Sequence, residues 1–250
     1  MRFIKLLLVV VLVSCITYLG NHLYQSTVST NEMDSVGDIV RKGKGETAVS
    51  AENDTNVEFT VDSFNELKAI NDDFVGYIFW NHDYTLPVVQ TTANGDYLRT
   101  SFYCRPSSQG TPYMDCNNSL GDTNISIYGH NVFYDQNAMF SPVASMVHQN
   151  NFEKYAHFYM CREDGIHEYN AVYVYYLTEE EHATHYAVQP NFQTQEEFEQ
   201  WIDFAKERNL ITSPENVSYG DRLLTLYTCK AWDDETKIIV HAHEVSYILW

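Results

Sequence analysis

The chain has 250 residues and sets 34 Asp and Glu against 15 Lys and Arg, a formal net charge of −19. A surface that neutralises a phosphate backbone needs clustered Lys and Arg, so nucleic-acid binding is excluded as the main task, and cationic or amine-bearing partners fit better. The length suits one large domain with an appendage, and 19 Tyr and 13 Phe lean toward strands.

At the amino terminus Arg2 and Lys5 precede LLLVVVLVSCITYLG, apolar from Leu6 to about Leu19, and no charged residue follows before Glu32. Counted from Phe3, this stretch rises about 25 Å as a helix, a little short of a ~30 Å hydrocarbon core. Lys5 can snorkel, and Tyr18 and Tyr24 can sit at the far interface. With no small-x-small cleavage site after it, the segment 1–24 reads as an uncleaved signal anchor. Its positive end stays in the cytoplasm, which places the rest of the chain outside the cell membrane in a single pass. Leu12 to Cys15 loosely resembles a lipoprotein acylation site, but the apolar run continues through Ile16 to Leu19, unlike a mature lipoprotein start. Outside the membrane, disulfides are possible among Cys104, Cys116, Cys161 and Cys229. If Cys229 is a working thiol, the other three allow at most one bridge, and its pair stays open.

Residues 25–56 are polar and charged without an apolar period and read as a tether; the globular part, 57–250, starts near Val57. Ser63 with Glu66 forms a possible capping box, and Phe64, Leu67 and Ile70 predict a short helix that stops before Asn71. Strand-like runs follow at FVGYIFW, TLPVVQ, TPYMD, TNISIYGH, HFYM and EYNAVYVYYL, with Pro87 marking the second as an edge or bulge. The texture then switches. Thr194 and Glu197 make a capping box, and Phe198, Trp201, Ile202 and Ala205 recur at helical spacing as far as Arg208. DRLLTLYTC and KIIVHAHEV are the last strands. Many short strands with isolated helices predict a mainly β (α+β) domain built on a closed or nearly closed barrel.

Two of these strands end in reactive side chains. Alternation groups Ser126, Tyr128 and His130 on one face against Ile125 and Ile127, and Thr225, Tyr227 and Cys229 against Leu224 and Leu226. A cysteine works as a nucleophile only as a thiolate, and a neighbouring imidazole is the commonest way to hold that charge near neutral pH. If the strands are neighbours, thiol and imidazole meet at a rim; if they are not, Cys229 is a buried core cysteine and His130 is unrelated to it.

The order of FNELKAINDDFVGYI, LPVVQTTANGDYL, GTPYMD, ISIYGHN, DQNAMF and LTLYTC, from about Phe64 to Val245, resembles the class B sortases, membrane-anchored cysteine transpeptidases of Gram-positive bacteria. The resemblance implies a closed eight-stranded barrel with an N-terminal helix, and it makes Thr194 to Arg208 the helix that class B inserts between strands six and seven. It also implies a mechanism without a cofactor. Cys229 attacks the carbonyl of a Thr in a carboxy-terminal sorting motif, His130 protonates the departing amine, and an incoming amine resolves the thioester. That amine comes from a peptidoglycan cross-bridge, which anchors a surface protein to the cell wall, or from a pilin lysine, which polymerises a pilus.

The family carries an arginine on the strand after the cysteine to steady the oxyanion, and matching KIIVHA to that strand puts Lys237 there. Arg222 stands seven residues before Cys229, roughly 23 Å along the strand, too far to substitute. Lysine keeps the charge and loses the planar multi-donor fork, which motivates an alternative in which the chain is a sortase-like binding module with weak turnover. The resemblance also borders the substrate groove with Asn94, Tyr128, Tyr186 and Thr228, and it sets Tyr227 and Lys230 where relatives carry a small polar and an acidic residue. His241 with His243, and His182 with His185, are pairs without further ligand spacing, so no metal site is assigned. The acidic run Glu179 to His182 reads as a solvated loop. A papain-like hydrolase has cysteine before histidine, opposite to the order here.

Overall fold

Strand pairing among the described residues closes the main sheet on itself. In the computed structural model, which describes residues 2–42, 49–50, 58–80 and 84–250, eight strands close into one barrel. They are β1 (Phe74–Phe79), β2 (Thr85–Val89), β3 (Tyr113–Met114), β4 (Asn124–Tyr128), β5 (His157–Arg162), β6 (Gly165–Leu177), β7 (Leu223–Lys230) and β8 (Asp233–Leu249). Around the barrel the order is β8-β6-β5-β1-β2-β3-β4-β7, with β7 returning to β8. The β2–β3 and β4–β7 pairs are parallel and the rest antiparallel. The expected closed eight-stranded barrel is therefore observed.

The helices are α1 (Arg2–Lys42), α2 (Val61–Ile70), α3 (Ser141–Ser145), α4 (Gln149–Tyr155), α5 (Glu179–His182) and α6 (Gln195–Arg208). α6 lies between β6 and β7, and Thr194 caps it by accepting from the Glu197 N–H at 3.2 Å. The Glu197 carboxylate takes the Gln193 N–H rather than that of Thr194, so the capping box is half made. For α2 the cap is Thr60, not Ser63. Thr60 Oγ1 accepts from the Ser63 N–H at 3.1 Å, so the helix starts at Val61, and the sequence spacing hid this because Ser63 is itself a good cap. The run Glu179 to His182 is a single helical turn rather than a loop: Thr178 and Glu181 close a capping box, and Arg208 pairs with Glu181 at 2.9 Å.

Two further expectations change. Pro87 sits in a fully buried strand of the closed barrel, and only its side toward β3 is the local edge that the proline marked. Because β3 meets β2 only at Val89, the side of β2 at Pro87 has no ladder partner there, and the missing N–H costs nothing. The tether read over 25–56 is helical as far as Lys42. Its buried stripe is Ser29, Glu32, Val36, Gly37 and Val40, spaced by three and four but mostly small or polar, so no apolar period is visible in the sequence. Residues 43–48 and 51–56 of the tether, and Val57 at the boundary, lie outside the described residues. Val49–Ser50 and Glu58–Phe59 pair as a short ribbon.

Alternation sorts the barrel wall into two layers. Ile125, Ile127, Leu224, Leu226, Ile238 and Val240 pack in one cluster with Ile78, Val88 and Val174, the barrel interior. The opposite faces of β6, β7 and β8, with Tyr173, Tyr175, Tyr227 and Ile239, carry α6 through Phe198, Trp201, Ile202 and Ala205. Trp201 alone, 1% exposed, removes about 200 Å² from water, worth roughly 5 kcal/mol before ordering costs. A third cluster joins α1 and α2 to β1 through Val36, Val40, Leu67, Phe74 and Tyr77.

His241 is built into this wall. Thr225 Oγ1 donates to Asn124 Oδ1 at 2.7 Å and so accepts from His241 Nδ1 at 2.9 Å, while Tyr175 donates to Nε2 at 2.8 Å. Burial pushes its pKa down to about 3, so the ring is neutral and both nitrogens are engaged. His243 instead meets Glu215 at 3.0 Å. The five cysteines are free; Cys161 is buried and Cys104 exposed, and the bridge left open by the sequence is not formed.

Candidate active site

The parallel pairing of β4 with β7 sets Tyr128 beside Tyr227, so two residues further on His130 and Cys229 leave the same end of neighbouring strands. Three bonds tie these ends together. The Gly129 N–H donates to Tyr227 O at 3.0 Å, Thr228 Oγ1 donates to Gly129 O at 2.7 Å, and Asn131 Nδ2 donates to Cys229 O at 3.0 Å. A Cβ on Gly129 would come within 2.5 Å of the Phe140 ring, which explains glycine between the strand and the histidine.

His130 and Cys229 are both half-buried. His130 Nε2 lies 2.8 Å from Leu98 O, and since a carbonyl only accepts, that nitrogen carries a proton. Leu98 belongs to the long β2–β3 connection, which thereby orients the imidazole. On the other side β8 pairs Lys237 directly with Cys229, and Lys237 Nζ donates to Sγ at 3.5 Å. A register irregularity between Asp233 and Lys237 precedes this pair. Arg222 is engaged elsewhere, donating to Leu120 O and lying 3.9 Å from Glu244.

Beneath the Cys229 row runs a ladder of rings. Tyr113 stacks on Tyr128 with centroids 5.2 Å apart, and Tyr128 packs on Tyr227 at 4.9 Å. Tyr128 Oη donates to Asp115 Oδ2 at 2.7 Å, and Asn94 Nδ2 donates to the same oxygen at 3.1 Å. Asn94 in turn accepts from the Cys116 N–H at 2.8 Å, so Asn94 and Tyr128 converge on one carboxylate. Burial, then the Cys229 and Asp115 charges, pushes Tyr113 up to about 12. Burial and Cys229 raise Tyr227 in the same direction, which keeps both phenols neutral.

The α5 turn closes the far side. Tyr227 Oη and His182 Nδ1 are 2.6 Å apart, and burial, Lys237 and His185 lower the His182 pKa, so the neutral ring accepts the phenol proton. Tyr186 follows on a 3-10 turn, with its ring edge-on to Phe204 at 5.2 Å and its carbonyl held by Trp201 Nε1 at 3.0 Å. Of the four groove residues expected from sequence, Asn94, Tyr128 and Tyr186 keep accessible surface. Thr228 is 1% exposed and its hydroxyl is taken by Gly129, so its side chain faces away from Cys229. Asp115, Asn131 and the Leu98 carbonyl were not singled out by sequence, and His182 was weighed only as half of a metal pair with His185. Asp115 lies inside the GTPYMD piece, but a backbone carbonyl and an amide contact through space leave no sequence signal.

A barrel whose two parallel strands deliver histidine and cysteine to one rim, with a cation at the sulfur, is the arrangement of a thiol acyl-transfer enzyme. The sortase domain family matches residues 81–245. Sortase B of Staphylococcus aureus (strain NCTC 8325 / PS 47) is 30% identical over 181 residues, 71% of this chain and 72% of that protein. Among solved structures, Clostridium perfringens sortase B superposes with a TM-score of 0.66 at 26% identity, covering 73% of this chain and 100% of the other. A sortase B complexed with triglycine superposes with a TM-score of 0.72 at 25% identity, over 89% of this chain and 99% of that one. The chain belongs to the sortase family as a class B member, a cysteine transpeptidase.

Proposed function

We propose that this sortase cleaves a carboxy-terminal sorting motif after a threonine and transfers the acyl group to an amine, anchoring a surface protein to the cell wall. The observation that carries the reading is the shared rim of His130 and Cys229 with Lys237 at the sulfur. The Cys229 thiolate adds to the threonine carbonyl, the peptide C–N bond breaks, and the amine leaves with a proton from His130. The incoming amine then adds to the thioester, gives its proton to His130, and expels the thiolate as the new amide forms. One histidine serves as acid and then base. The triglycine bound by a structural relative supports a small amine peptide as acceptor.

Lys237 has two partners in turn. It contacts the sulfur at rest, and as the sulfur adds to the carbonyl its ammonium stands beside the carbonyl oxygen on which negative charge develops. A compact ammonium cannot hold sulfur and oxyanion together as a forked guanidinium can. Asn94, Tyr128 and Tyr186 border the groove, and Thr228 contributes by holding β7 against β4. The exposed apolar helix from Ile4 to Tyr24 supports an anchored enzyme with its amino terminus in the cytoplasm and its barrel (57–250) outside the cell.

Two other readings use the same site: polymerisation of pilin through a lysine amine, and binding of sorting signals with little turnover, the latter favoured by the Lys237 contact to sulfur. Intact-mass measurement of the protein with a panel of sorting peptides tests all three. A thioacyl adduct that is absent in Cys229→Ala, and is resolved by glycine peptides in preference to pilin lysines, is expected. Resolution by pilin lysines alone selects polymerisation. No adduct with any peptide selects the binding module.

A further inference from the structure

Helix α1 changes character at one point without a break. From Ile4 to Tyr24 the described side chains are exposed on every face, whereas from Gln25 onward one stripe is buried and the other faces are open. A helix that is apolar and exposed all round has no partner within the protein, and one with a single buried stripe is docked on it. The changeover falls between Tyr24 and Gln25.

Contacts with the barrel begin at once. Gln109 Nε2 donates to Ser26 Oγ at 3.2 Å, and Ser29 Oγ meets Ser107 Oγ at 2.8 Å in a buried pair. One turn on, the buried Glu32 carboxylate lies 3.6 Å from Arg105 Nη1. Val36 and Val40 then enter the cluster of Leu67, Phe74 and Tyr77, and Ser63 Oγ donates to Ile39 O at 3.3 Å. The helix is thus fastened over four turns, starting two residues after its lipid-like part ends.

We infer that α1 carries the barrel as a rigid mount with the 96–110 loop lying on the lipid surface; this rests on the reading of Ile4 to Tyr24 as a membrane span. Ser26 stands about 3 Å and Ser29 about 8 Å beyond Tyr24 along the axis. The headgroup layer on one side of a bilayer is about 5–8 Å deep, so Ser107 and Gln109 fall at its level. The same loop exposes Leu98, Arg99, Arg105 and Pro106, and its two arginines suit anionic headgroups although the whole chain carries −19. Leu98 O also orients His130, so the imidazole is joined to the membrane-facing loop by one hydrogen bond. A site mounted this way works on chains presented at the bilayer surface.

The test uses the full-length protein in vesicles of phosphatidylethanolamine and phosphatidylglycerol containing a headgroup-nitroxide lipid. A fluorophore is placed on Cys104 of that loop, with Cys15, Cys116 and Cys229 changed to Ala. The reference is the same fluorophore on Glu199→Cys of α6 with Cys104→Ala; α6 packs on β6, three strands round the barrel from β2. Quenching is expected to be several-fold stronger at Cys104. It should fall to the α6 level when a flexible Gly-Ser linker of about ten residues is inserted between Tyr24 and Gln25. In the otherwise unchanged enzyme, the linker should slow turnover of a vesicle-tethered peptide and spare a soluble one. Ser29→Cys with Ser107→Cys should also form a disulfide in the membrane. Equal quenching at the two positions, in protein that resists alkaline extraction, overturns the inference, as does failure of that disulfide to form. Release of the protein by alkaline extraction fails the membrane-span reading itself.

Discussion

Lys237 stands directly across the β7–β8 ladder from Cys229, with its ammonium 3.5 Å from the sulfur. The contact ties Cys229 to the position where the sequence resemblance led us to expect arginine. Replacing Lys237 with Gln should remove the cation that contacts the sulfur and slow alkylation of Cys229 by about tenfold. Iodoacetamide rates across pH measure this directly. Lys237→Arg should raise turnover by about one to three powers of ten, by offering separate donors to sulfur and oxyanion. Unchanged or lower turnover in that variant would count against an oxyanion role.

Gly129 is required by space. Gly129→Ala would push a methyl group into the Phe140 ring and strain the bonds that hold His130 beside Cys229. A loss of about 1–3 kcal/mol is expected, read as a lower urea midpoint at unchanged slope. Phe140→Leu in the same background should restore part of it by making room.

Tyr128 and Asn94 share the Asp115 carboxylate. Tyr128→Phe keeps the ring stack on Tyr113 and Tyr227 and leaves Asp115 oxygen without its phenol donor. The acyl-donor KM should rise several-fold while kcat changes little, which steady-state kinetics with a fixed amine would separate. A fall in kcat at constant KM would instead assign Tyr128 to the chemical step.

His241 gives the fold an acid sensitivity. Its folded pKa of about 3 lies below the unfolded value of ~6.5, so at pH above 6.5 both states are neutral and its interactions count in full. As pH falls below 6.5 the unfolded chain binds a proton that the folded chain refuses, and stability drops by up to about 1.4 kcal/mol per pH unit until the folded pKa is reached. Urea midpoints between pH 7 and pH 4 should show this slope, and His241→Gln should flatten it.

Much of this molecule was legible from local rules. Alternating runs such as ISIYGHN and LTLYTC marked the strands, and period-two alternation separated the inward Ile125, Ile127, Leu224 and Leu226 from Thr225 and Tyr227, because a strand has only two faces. The spacing of Phe198, Trp201, Ile202 and Ala205 located α6, since a helix buries one stripe. The order of the motifs was enough to name the family and to single out Lys237.

The tertiary structure decided what depends on distance between separated segments. It made β4 and β7 parallel neighbours, set Lys237 opposite Cys229, and brought Leu98 O to His130, a backbone contact that no side-chain pattern encodes. It turned the expected tether into a docked helix, because Ser29 pairs with Ser107 and Val36 and Val40 enter the core beside Leu67 and Phe74. It set Pro87 inside a closed wall and yet at a local edge, where a neighbour too short to reach it left its absent N–H without consequence. Sequence determines which face a side chain takes; which strand that face meets is settled only when the barrel closes.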